Sequence, residues 1–116
     1  MSVVAGCLVA LVAALHLYFL VLEMFLWTTP TGRRVFGLDA DFAERSKTLA
    51  ANQGLYNGFL VAGLVWGLVS GRTDVRVFFL VCVVVAGVYG AATVNKRILF
   101  VQAVPAAVAL VAVALS

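Results

Sequence analysis

Apolar residues run along this chain in four long stretches, separated by short polar connections. A helix that crosses a bilayer needs about 20 mostly apolar residues. Four runs meet that requirement: Val3–Trp27, Thr48–Val69, Val77–Val94 and Ile98–Leu115. No basic residue precedes the first run, and it is longer than the apolar part of a cleavable signal, so it is expected to be a permanent helix. The second and third connections are short, about seven and three residues, which makes their flanking helices antiparallel neighbours. The pattern predicts an all-α fold, an antiparallel four-helix transmembrane bundle forming one integral membrane domain over residues 1–116.

The first connection reads as more than a linker. Pro30 lacks an amide donor and disfavours helix in the residue before it, so the Thr28–Gly32 stretch ends the first helix. Val35, Phe36, Leu38 and Phe42 then alternate with charge, which predicts an amphipathic cytoplasmic segment lying on the headgroup layer. Asp41 and Glu44 have the spacing of a capping box, so the second helix is expected to begin before it enters lipid.

Composition sharpens this picture. The chain has 116 residues, of which 65% are hydrophobic and 11% charged, against roughly 25% charged in an ordinary soluble domain. So few charges cannot coat a soluble domain of this size, which excludes a soluble enzyme and a disordered chain. The net charge is +3, but the basic residues sit in the connections and form no phosphate-binding stripe, so no nucleic-acid partner is expected. Cys7 and Cys82 both lie inside apolar runs, which points to neither a disulfide framework nor a metal site.

Charge also sets orientation. Arg33, Arg34, Arg45 and Lys47 lie in the first connection and Lys96 and Arg97 in the third, while the second holds Arg72 and Arg76. The excess places the first and third connections in the cytoplasm and both termini outside. The expected location is the plasma membrane (a bacterial inner membrane), crossed several times. Trp27 and Trp66 fall near opposite ends of their helices, as interface anchors do.

Small residues mark where helices approach closely. Gly54 with Gly58 and Gly63 with Gly67 form small-xxx-small pairs on the second helix, and Ala86 with Gly90 and Gly87 with Ala91 do so on the third. In the fourth, Pro105 frees the carbonyl of Val101 beside Gln102 and predicts a kink.

The polar residues inside the apolar runs carry the candidate chemistry, because ionisable groups are costly in a span. His16 and Glu23 are two turns apart on one face of the first helix. Gln53, Tyr56 and Asn57 fall at i, i+3 and i+4 on the second, and Tyr89 and Thr93 at i and i+4 on the third. Counting 1.5 Å per residue from the cytoplasmic ends puts Glu23, Asn52, Gln53, Tyr89 and Gln102 roughly 6–8 Å deep. His16 and Asn57 come out roughly 14–17 Å deep. The set predicts a polar cavity in the cytoplasmic half. Interhelical hydrogen bonding is the competing explanation for each Asn and Gln.

Three segments closely resemble a known family: LEMFLWTTPTGRRVFGL (Leu22–Leu38), LAANQGLYNGFLVAGLVWGL (Leu49–Leu68) and VAGVYGAATVNKRILFVQAVPA (Val85–Ala106). The family is the small bacterial and fungal membrane proteins of domain-of-unknown-function 1304, and the likeness covers nearly the whole chain. It implies a four-helix membrane protein of about this length and no activity. Glu23, Asn52, Gln53, Tyr56, Asn57, Tyr89 and Gln102 fall on its motifs without assigned roles.

Three functions remain open from sequence. The first is a cavity that binds a small lipophilic molecule, with isomerase-type proton transfer as its chemistry. There Glu23 and His16 are the candidate catalytic pair, and Asn52, Gln53, Tyr56, Asn57, Tyr89, Thr93 and Gln102 the ligand-binding set. No dinucleotide, Walker or HExxH motif is present, so no cofactor or metal is expected. Membrane isomerases acting on sterols and epoxides gather the same residue types, a likeness of residue type alone. The second function is a structural or assembly subunit of a membrane complex, and the third a small proton-coupled transporter. Membrane lipid, a small lipophilic ligand and a further copy of the chain are the expected partners.

Overall fold

Stripes of small and apolar residues at helical spacing organise the observed elements. The structure, a computed structural model, describes residues 2–116. It is all-α: α1 (Val3–Phe25), α2 (Pro30–Phe36), α3 (Ala40–Ser70), α4 (Thr73–Thr93), a π-helical segment (Leu99–Ala103) and α5 (Val104–Leu115). The four predicted runs correspond to α1, α3, α4 and the π segment with α5.

α3 begins at Ala40, ahead of its apolar run at Thr48, as the spacing of Asp41 and Glu44 led one to expect. The first connection differs from expectation in forming a helix of its own, α2. The first helix already ends at Phe25, and Pro30 is the first residue of α2, where its missing amide costs nothing. Thr29 caps α2 by accepting from the Gly32 amide, and Gly37 closes it at φ 67°, a left-handed turn that glycine adopts without strain. The cap of α3 is Asp39, whose Oδ1 accepts from the Phe42 amide at 2.7 Å. Asp41 instead pairs with Arg45 and Glu44 with Lys47.

By length and composition, α1 and α4 are apolar enough to cross a membrane. A core helix of a soluble protein can share that composition, but it is mostly buried. In α1 and α4 only 28% of the apolar window is buried. α3 is longer than either, but Asn52, Gln53 and Asn57 dilute its apolar half, and Leu99–Leu115 is apolar but shorter.

The chain divides into two compact units, Met1–Leu15 with Leu60–Ser116, and His16–Phe59. The first unit has a core drawn from α1, α3, α4 and α5: Ala5, Val9, Val12 and Ala13, then Leu64, Leu80 and Val83, then Ala106, Ala109 and Val113. Most of these are small. Larger side chains such as Phe78, Val85, Phe100 and Leu115 are exposed. Small residues on the packed faces let these helices approach closely.

Arg76 closes the α3–α4 hairpin of this unit. It is only 2% exposed, and its Nε donates to the Gly67 carbonyl near the end of α3 at 2.9 Å. A cation there satisfies a terminal carbonyl and opposes the helix dipole. Gly71, at φ 71°, makes the turn. Further along, a methyl on Gly87 of α4 would sit 2.6 Å from the Ala103 amide nitrogen, so these backbones touch. The π segment precedes Pro105, and the Val104 amide donates to the Leu99 carbonyl five residues back. The local perturbation predicted at Pro105 therefore takes the form of a wider turn. Cys7 and Cys82 are free thiols.

The second unit packs the end of α1, α2 and the first part of α3. Trp27 stacks on Phe36 with ring centroids 4.8 Å apart, and its indole Nε1 donates to Ser46 Oγ at 3.0 Å. A methyl on Gly32 would lie 1.9 Å from the Leu26 carbonyl oxygen, so only glycine lets α2 fold back on the end of α1.

Candidate functional site

The site is built on the α1–α3 contact within the second unit. Leu20, Glu23 and Met24 lie at i, i+3 and i+4 on α1 and meet Gly54 and Gly58 of α3. A methyl on Gly54 would be 3.2 Å from Glu23 Cβ and 2.5 Å from Met24 Cγ, so the missing side chain is the notch that admits them. Asn57 is one turn beyond Gly54 on the same stripe, and its Nδ2 donates to Glu23 Oε1 at 2.5 Å. Glu23 is 4% and Asn57 8% exposed. A carboxyl group from the last turn of α1 and an amide from the middle of α3 thus meet, with apolar residues around them.

Depth counting had separated these two residues by about 8 Å, and the structure joins them. Side chains lean toward the N-terminus of their own helix, so on antiparallel helices Glu23 and Asn57 lean toward each other. The first helix also ends at Phe25, so residues 26–29 follow a turn and do not rise as a helix.

His16 is fully buried two turns before Glu23. Its ring meets Phe19 edge-on, centroids 5.3 Å apart. The remaining polar residues are less enclosed. Asn52, Gln53 and Thr93 are exposed and Gln102 is half-buried in the π segment. Tyr56 and Tyr89 are exposed, and Thr93 Oγ1 donates to the Tyr89 carbonyl at 2.7 Å. The buried stripe of α3 runs Ala43, Ala50, Gly54 and Asn57. Gln53 and Tyr56 sit about 100° round the helix from their buried neighbours, and Asn52 about 160° from Ala50 and Gly54. Sequence spacing showed that Gln53, Tyr56 and Asn57 are close on α3; the position of the glycine notch decided which of them is enclosed.

Arg76 and Ser46 were not foreseen as partners. Arg76 begins the stripe Arg76, Leu80, Val83 and Gly87, at i, i+4, i+7 and i+11, and that core spacing was a legible signal of its burial. Ser46 carries no such mark. Among the described residues, no group of three or more His, Cys, Asp or Glu side chains could hold a metal ion.

Residues 10–114 match the family described as "Protein of unknown function (DUF1304)". The chain belongs to that family. It is also 33% identical over 115 residues to the uncharacterized protein YpaA of Lactococcus lactis subsp. lactis (strain IL1403), covering 96% of this chain and 97% of that protein. No solved structure matches it.

Proposed function

We propose that this DUF1304 protein is a multi-pass protein of the plasma membrane that holds a small lipophilic molecule by its polar end at Glu23 and Asn57. The buried Glu23–Asn57 hydrogen bond carries the reading. A carboxyl group withdrawn from water is costly unless something uses or satisfies it. One amide donor satisfies one of its oxygens. The other can accept from, or when protonated donate to, a ligand hydroxyl, carbonyl or epoxide oxygen. His16, two turns away, is the second proton-active group on α1. Isomerisation by proton transfer requires no more than an acid and a base.

Four spans with both termini outside remain the best topology. The count of basic residues supports it: Arg33, Arg34, Arg45, Lys47, Lys96 and Arg97 lie in the first and third connections, against Arg72 and Arg76 in the second.

The test compares wild type with Glu23→Gln, which keeps the shape and an accepting oxygen. Both proteins should purify from membranes as folded species with similar melting temperatures. Mass spectrometry of the extracted lipophilic molecules should show a species enriched with wild type and depleted with Glu23→Gln. Identical extracts would refute the ligand and leave Glu23–Asn57 as interhelical glue in an assembly subunit. For topology, single cysteines at Ser46 and Ser116 in a background without Cys7 and Cys82 should label from opposite sides. Labelling of both from one side would refute it.

A further inference from the structure

Arg33 and Arg34 differ from the other cations of their unit. Arg45 is paired with Asp41 and Lys47 with Glu44, but neither arginine of α2 meets a carboxylate among the described residues. Arg33 is half-buried, and its Nε is enclosed with no hydrogen-bond partner. An enclosed donor without an acceptor is unfavourable, so a rotation of the Arg33 side chain that carries Nε out to an acceptor beyond the chain is favoured. The support is rigid: Thr29 caps α2, Gly32 lies against the Leu26 carbonyl, and Phe36 stacks on Trp27. The helix directly follows α1, which is apolar enough to span. Val35 and Phe42, both exposed, flank this segment with apolar surface.

We infer that Arg33 binds the phosphate of an anionic phospholipid headgroup where α2 meets the membrane surface, an inference that rests on the proposal that α1 spans the bilayer. A guanidinium fork fits a phosphate with two parallel hydrogen bonds, and Nε makes one of them once the side chain has turned toward the headgroup. Arg34 lies about 100° round the helix and is exposed. It contributes attraction to a negative surface without a shaped contact. Val35 and Phe42 take the adjoining apolar part of the lipid. The two neighbouring arginines therefore have different jobs, which separates this site from a general basic surface.

Trp27 is a built-in reporter, because it stacks on the last residue of α2. In a Trp66→Phe background it is the sole indole. The full-length protein is reconstituted in mixed phosphatidylcholine–phosphatidylglycerol vesicles, with bromine placed on one lipid or the other. Brominated phosphatidylglycerol should quench Trp27 more than brominated phosphatidylcholine at equal mole fraction. Arg33→Gln should reduce the preference about five-fold, and Arg33→Lys should fail to restore it, while Arg34→Lys retains it. Equal quenching by the two lipids, or a preference unaltered in Arg33→Gln and Arg33→Lys, would overturn the site. Loss of the preference on adding inorganic phosphate, but not chloride at equal ionic strength, would assign Arg33 to free phosphate and overturn the lipid. Release of the protein from membranes by alkaline carbonate would instead refute the spanning reading, and this inference with it.

Discussion

The α1–α3 contact at Gly54 and the α3–α4 contact at Gly67 use the same device for different ends. In each, a glycine of α3 leaves room for a neighbouring helix, and a long ionisable side chain enters beside it. At Gly67 that side chain is Arg76, which turns to the Gly67 carbonyl. It completes the backbone hydrogen bonding of a helix end, and its charge is spent on structure. At Gly54 the side chain is Glu23, which leaves the last turn of α1 and meets the middle of α3, where every backbone group already has its helical partner. Glu23 can only find another side chain, Asn57. The part of α3 that is met therefore decides whether a buried ionisable group completes the backbone of a helix end or pairs with a side chain.

The contact at Gly87 gives the largest expected effect, because backbone faces backbone there. Gly87→Val places a methyl where the Ala103 amide stands, and should lower stability by roughly 3 kcal/mol, at the upper end of overpacking costs. The check is denaturation of the detergent-solubilised protein. Gly63→Ala should cost much less, since the obstacle is the Phe79 ring, which can rotate away. Equal losses would show that the π segment yields as readily as a side chain.

Removing the two buried ionisable groups sharpens the comparison. Arg76→Met should cost about 2 kcal/mol by stranding a carbonyl, with no conservative rescue from lysine, whose shorter reach lacks an Nε. Glu23→Ala should cost about as much by stranding the Asn57 amide, yet Glu23→Gln should restore stability nearly to wild type. Thermal melts of the four variants read this directly. If Glu23→Gln is as unstable as Glu23→Ala, the carboxyl is structural in the manner of Arg76, and the distinction fails.

The smallest effect is expected at the surface pairs. Arg45 and Asp41 are 68% and 80% exposed, so Asp41→Ala should change stability by less than about 0.5 kcal/mol. The melting temperature should be unmoved within error. A loss comparable to that of Arg76→Met would mean that the start of α3 is enclosed by something beyond this chain.

Length and polarity of the apolar runs were enough to determine an all-α chain and the approximate place of its long helices, because helical hydropathy is a local property, and the family was legible in three segments of the chain. The i, i+3, i+4 and i+7 spacing was likewise enough to put His16 and Glu23 on one face of α1. Local chemistry also carried the break at Pro30, although the short helix it starts was read only as an amphipathic segment. Tertiary structure alone decided which polar residues are enclosed. Asn57 is buried while Gln53 and Tyr56 are not, because Gly54 sets the line along which α1 lies on α3. It also decided that Arg76 caps a helix end and that Arg33 keeps a donor unmatched. Those outcomes depend on which backbone approaches which, and the lean of side chains across antiparallel helices is invisible in residue order.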